Sequence, residues 1–134
     1  MQHKYSILYF WKSILVIAAI LYLSFASPST FKEVPAFEFE DKLVHLLMYG
    51  GLTGFLILDF RQYSRYFQTT GITYMLICLA FPVILGGAVE IIQPVFFPPR
   101  TAEWIDWFSD ITGVLSGWFI MSLITHKAFK RKIK

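Results

Sequence analysis

The sequence predicts an all-α membrane protein: a bundle of four transmembrane helices with both termini in the cytoplasm. Three observations predict it. The 134 residues are 56% apolar and only 16% charged, against about 25% charged in soluble domains, so so small a domain lacks the polar residues to cover its own surface. Uncharged runs cover residues 13–31, 43–58, 66–89 and 111–126, and a bilayer core about 30 Å thick takes about 20 helical residues to cross. Lys and Arg then gather on one side of the four-span topology. Aromatics at 19% exclude a disordered chain. Open sheet is not a substitute for helix in lipid, because its edge groups would be unpaired.

The spans are expected at about 9–27, 41–60, 71–94 and 105–126, within a single domain 1–134. The first follows Lys4 and Lys12. A competing reading of it is a signal peptide, since Ser24-Phe25-Ala26 has small residues at the two cleavage-type positions. The second and fourth runs reach spanning length only by taking in polar ends, Asp41-Lys42 for the second and Asp106 with Asp110 for the fourth. Pro82 is expected to kink the third. The lone Cys78 excludes an intrachain disulfide and a cysteine-based metal site.

Four spans put the N-terminus, the middle loop and the C-terminus on one side. That side carries Lys4, Lys12, Arg61, Arg65, Lys127, Lys130, Arg131, Lys132 and Lys134. The other holds only Lys32, Lys42 and Arg100. By the positive-inside rule the first side is cytoplasmic. The basic tail 127–134 is a topology determinant that also touches anionic lipid, and no nucleic-acid partner is expected from so short a tail. Of the two outer loops, residues 28–40 hold Pro28, Pro35 and the alternation Phe37-Glu38-Phe39-Glu40, suited to a short interfacial strand or to rings dipped among headgroups. Residues 94–104 hold Pro94, Pro98 and Pro99, so they are not helix throughout. Trp104 and Trp107 suit the interfacial belt.

Ionisable groups in membrane spans are costly, about 2.5–3.5 kcal/mol for a charge at a helix centre, and the default inference is that they are partnered and functional. Asp41, His45 and Tyr49 share one face of the second helix at i, i+4 and i+8. Glu90 and Gln93 share a face of the third. Asp106 and Asp110 share a face of the fourth, in register with Gly113 and Gly117. Arg100 lies in the loop between. The topology puts all of them at the outer ends of their helices, which predicts one polar cluster near the extracytoplasmic surface.

Each has a plainer alternative. Asp41 and Asp106 could be helix N-caps. His45 could be a satisfied interhelical hydrogen-bonding residue. Tyr49 could place its ring in the bundle and its hydroxyl on a neighbour. Arg100 could snorkel to headgroups. Glu90, a turn inside a long uncharged run, must pair or protonate. Gly113 and Gly117 form a small-xxx-small packing face.

Together, Asp41-Lys42-x-x-His45-x-x-x-Tyr49, then Glu90-x-x-Gln93, then Arg100 followed by Asp106-x-x-x-Asp110-x-x-Gly113-x-x-x-Gly117, resemble the VanZ-like membrane proteins over about residues 41–117. The family commonly has Asn or Asp at the position of Asp110. The resemblance implies a multi-pass protein of the bacterial cytoplasmic membrane, acting in the cell envelope and linked to low-level teicoplanin resistance among glycopeptides. It supplies no reaction.

Two functions follow from the residues. In the first, the cluster binds or modifies a lipid-linked cell-wall precursor or envelope polymer at the outer leaflet. Arg100 would hold a phosphate or carboxylate, for which its planar fork is suited. His45 and Glu90 would serve as acid and base, their carboxylate–imidazole pairing tuning proton affinity near neutrality, with Asp110 grouped with them as catalytic. Asp41, Lys42, Tyr49, Gln93 and Asp106 would line the ligand. His45, Glu90, Asp106 and Asp110 are donors acceptable to Mg, Mn or Zn, so a divalent metal is the one cofactor the residue types suggest. In the second, the cluster is a buried network that fixes the bundle, and the protein is a non-catalytic interaction subunit among membrane lipid. Transport is disfavoured, since no second polar layer is evident across the membrane.

Overall fold

A computed structural model describes residues 6–26, 40–98 and 101–132, with side chains through residue 125. All regular structure among these residues is helical. The first helix opens as a 3-10 segment, Ser6–Phe10, and continues as α-helix over Trp11–Phe25. The second runs over Glu40–Tyr63. The third spans Gly71–Phe96 and the fourth begins at Trp104, ending at Lys132. Four helices, Ser6–Phe25, Glu40–Tyr63, Gly71–Phe96 and Trp104–Thr125, are long and apolar enough to cross a membrane. They fall on the four expected spans, with ends displaced by three residues at most. Glu40 is already helical, while the rest of the Phe-Glu alternation lies outside the described residues, as do Arg100, Lys4 and Lys32.

Local chemistry sets the helix boundaries. Thr70 caps the third helix, its hydroxyl accepting from the Thr73 N–H at 3.2 Å. Leu76–Ala80 widens to a π-helical turn, in which the Phe81 N–H reaches back to the Leu76 carbonyl. Pro82 follows at once and has no N–H to continue the ladder. The expected irregularity at Pro82 is therefore a π-turn just before it.

The second and fourth helices form the centre of the bundle and meet backbone to backbone at Gly50, Gly113 and Gly117. A Cβ built on Gly113 would lie 2.3 Å from the Leu46 carbonyl oxygen, and one on Gly117 would lie 2.4 Å from that of Gly50. Glycine is required there because backbone meets backbone. Around this crossing the buried apolar core comprises Ile20 of the first helix, Tyr49, Leu52, Leu56, Ile57 and Phe60 of the second, Cys78 of the third and Val114 of the fourth. The outer surface is apolar as well: Ile72, Ile84, Phe108, Leu115 and Phe119 are all exposed. Water would not tolerate such continuous greasy faces, whereas lipid favours them.

Helices consecutive in the chain run antiparallel, whereas the second and fourth run parallel, Leu46 facing Gly113 and Gly50 facing Gly117. At one end of the bundle the Gln93 amide donates to the Ser24 carbonyl at 2.9 Å, satisfying an acceptor that the end of the first helix leaves free. At the opposite end, Asp59 is fully buried and receives three donors from the first helix. Lys12 Nζ lies 2.7 Å from Oδ1. The Ser13 N–H and hydroxyl reach Oδ2 at 3.0 and 2.8 Å. This corrects the expectation of a single polar layer, on which transport was disfavoured: a second layer exists at Asp59, a residue just beyond the uncharged run 43–58.

Candidate functional site

The predicted cluster forms at the bundle end opposite Asp59. One face of the second helix presents Asp41, Lys42, His45 and Tyr49; the third contributes Glu90 and Gln93; the fourth contributes Asp106 and Asp110. His45, Tyr49, Glu90, Gln93, Asp106 and Asp110 are all buried, and Asp110 is 0% exposed. Asp41 is exposed at the rim.

At its centre, His45 Nδ1 lies 2.8 Å from Asp110 Oδ1. With the carboxylate ionised, Nδ1 carries the proton and donates it, which leaves Nε2 as the second ring position. Asp110 itself is seated by Gly86: a Cβ there would come within 2.5 Å of Asp110 Oδ2. The ring of Tyr49 lies parallel to His45, with centroids 6.5 Å apart. Glu90 accepts the Glu103 N–H on Oε2 at 2.9 Å and lies within electrostatic range of His45, Asp106 and Asp110. Lys42 closes the rim through Glu103 at 2.8 Å and Asp106 at 3.0 Å.

Several expectations change in detail. His45 pairs with Asp110 rather than with Glu90. Asp41 is the second residue of its helix and Asp106 the third of its own, so neither stands at a cap position. Lys42 is held by intrachain ion pairs, and the amide of Gln93 is engaged with the first helix. Arg100 lies outside the described residues. Trp107, expected in the interfacial belt, turns its indole N–H inward to the Val83 carbonyl at 3.0 Å. Glu103 was missed, because its main contribution is a backbone N–H, which no residue type announces.

Several buried polar atoms here have no hydrogen-bond partner: Tyr49 Oη, Glu90 Oε1 and Asp110 Oδ2. Asp106 Oδ1 makes its ion pair with Lys42 without hydrogen-bond geometry. Leaving such an atom unsatisfied costs about 1–3 kcal/mol. The charge is also uneven. Among the described residues Asp41, Glu90, Glu103, Asp106 and Asp110 are balanced only by Lys42 and His45. Buried acceptors in excess of donors suit a proton, a hydroxyl-rich group or a cation.

The donor atoms of Asp41, His45 and Asp106 all lie within 4.8 Å of one another. The metal-ligand set suggested by residue type is thereby altered, with Asp41 in place of Glu90 and Asp110. A separate concavity of about 450 Å³ lies elsewhere, against residues Ser64, Arg65, Tyr66, Phe67, Gln68 and Thr69 of the middle loop. It shares no residue with the cluster. No protein family, curated protein or solved structure matches the chain, so the case for a site rests on these contacts.

Proposed function

We propose that the protein is a VanZ-like component of the bacterial cytoplasmic membrane. In this reading its cluster faces the extracytoplasmic leaflet and binds or modifies a lipid-linked cell-wall precursor or envelope polymer. The observation that carries the proposal is the buried His45–Asp110 pair set beside unpartnered oxygens of Tyr49, Glu90 and Asp110. A network built only for stability would satisfy its members. In this site Asp110 holds the imidazole, His45 presents its free ring nitrogen to the ligand, and Glu90 exchanges protons through Oε1. Lys42, Asp41 and Asp106 form the rim, with Arg100 of the adjoining loop as the anion-holding group.

The experiment is expression in a glycopeptide-susceptible bacterium, reading teicoplanin susceptibility and the amount of chain in the membrane. The intact chain should reduce susceptibility, and Glu90→Gln and Arg100→Ala should accumulate normally but abolish the effect. Normal accumulation with the effect retained overturns the site. An intact chain that leaves susceptibility unchanged overturns the link to teicoplanin.

A second reading has its own support: Lys42 bridges Glu103 and Asp106, and Gln93 ties the third helix to the first. In that reading the cluster is a structural lock of a non-catalytic subunit. It is favoured if Glu90→Gln and Asp110→Asn both fail to accumulate.

A further inference from the structure

The rim of the cluster has the makings of a cation site. Asp41 and His45, at i and i+4, share one helix face, and Asp106 faces them from the fourth helix. Their donor atoms lie within 4.8 Å of one another. Donors around a tetrahedral ion, with bonds of about 2.0–2.2 Å, lie roughly 3.3–3.6 Å apart. Reaching that spacing takes a small adjustment of the three side chains, of which Asp41 is exposed on the first helical turn while His45 and Asp106 are 7% and 5% exposed.

The group is more than a cluster of acids. Histidines that bind metals almost always donate their other ring nitrogen to a carboxylate or carbonyl, which fixes the tautomer and aims the free lone pair. His45 meets that condition through Asp110 at 2.8 Å. Asp106, nine-tenths buried, has an oxygen with no hydrogen bond, ion-paired to the Lys42 ammonium at 3.0 Å. Lys42 thus shows that this carboxylate already holds one cation. The surplus of acids over bases at this end remains after that pair is counted.

We propose that Asp41, His45 and Asp106 bind a divalent transition cation of the zinc or manganese class, with Asp110 as the positioning residue for His45. One imidazole and two carboxylates select this class over calcium, which takes oxygen donors alone. Three protein donors leave coordination open on the exposed side, next to Asp41. An acid-rich rim then becomes able to take an anionic ligand, since the ion would reverse the local charge. The inference rests on reading this end as a ligand site.

The test uses the full chain purified in detergent and stripped with a chelator. Zn²⁺ affinity is measured by competition with a chromophoric chelator, and Co²⁺ is added to the unsubstituted chain as a spectroscopic probe. One equivalent of Zn²⁺ should bind, and Co²⁺ should give visible bands of a low-coordinate ion. Affinity should fall at least about tenfold in His45→Ala, Asp106→Asn and the positioning variant Asp110→Asn, and stay unchanged in Gln68→Ala. Absence of saturable Zn²⁺ binding and of the Co²⁺ bands overturns the proposal without recourse to any variant. So does His45→Ala binding as tightly as the unsubstituted chain. The two readings fail separately: Glu90→Gln probes the envelope ligand without removing a donor, whereas Asp41→Asn and Asp106→Asn remove the cation. An unsubstituted chain that protects against teicoplanin but shows no saturable Zn²⁺ binding overturns the cation site and leaves the envelope reading standing.

Discussion

Asp59 and Glu90 are both buried carboxylates, and their surroundings differ in kind. Asp59 uses both oxygens, against an ammonium, a hydroxyl and a backbone N–H. Glu90 uses one, for a backbone N–H, and keeps the other free. The first is the pattern of a structural anchor, because removing it strands several donors at once. Asp59→Ala should lower stability by about 1–3 kcal/mol, read from unfolding in mixed micelles. Lys12→Ala should cost at least as much, since it leaves the fully buried Asp59 carboxylate without its counter-charge. Glu90→Gln keeps an acceptor for the Glu103 N–H and should shift stability by less than about 1 kcal/mol in the same measurement. A large loss there would mean that the free oxygen supports the fold.

At the scale of elements, the site depends on a helix crossing made by missing side chains. Gly113 and Gly117 let the second and fourth helices approach until carbonyls lie where side chains would be. Gly117→Ala places a methyl 2.4 Å from the Gly50 oxygen, and overpacking of this kind costs about 1–3 kcal/mol. A lower melting temperature in detergent would show it. Gly51→Ala meets nothing within 4 Å and should be neutral or raise stability by up to about 1 kcal/mol through helix propensity. The spans were legible in the sequence as long uncharged runs, and the glycine stripe as a periodic pattern along one helix. The placing of His45, Glu90 and Asp110 at one depth was legible too, since topology alone fixes depth. Which groups pair was not. The choice of Asp110 over Glu90 as partner of His45 depends on how closely two helices cross, and the seating of Asp110 against Gly86 is a contact between the third and fourth. Asp59 escaped notice because at the edge of an apolar run a buried acid and an interfacial one look alike.

Over the whole molecule, each bundle end carries a polar layer, and the stretch between them is mostly apolar. Orientation in the membrane is checked by cysteine labelling in a Cys78→Ser background, where the only native thiol, itself buried, is removed. With the cluster outside, a thiol at Thr101 should react with an impermeant reagent in intact cells, and one at Gln68 only after permeabilisation. The reverse pattern would put the basic loops outside and remove the envelope ligand from reach. The bond between Lys12 and Asp59 joins residues 47 positions apart. During synthesis the cation therefore leaves the ribosome well before the acid does. When Asp59 enters lipid its counter-charge is already waiting in the preceding hairpin arm, so the first two helices have reason to dock as a pair before the fourth exists to complete the bundle.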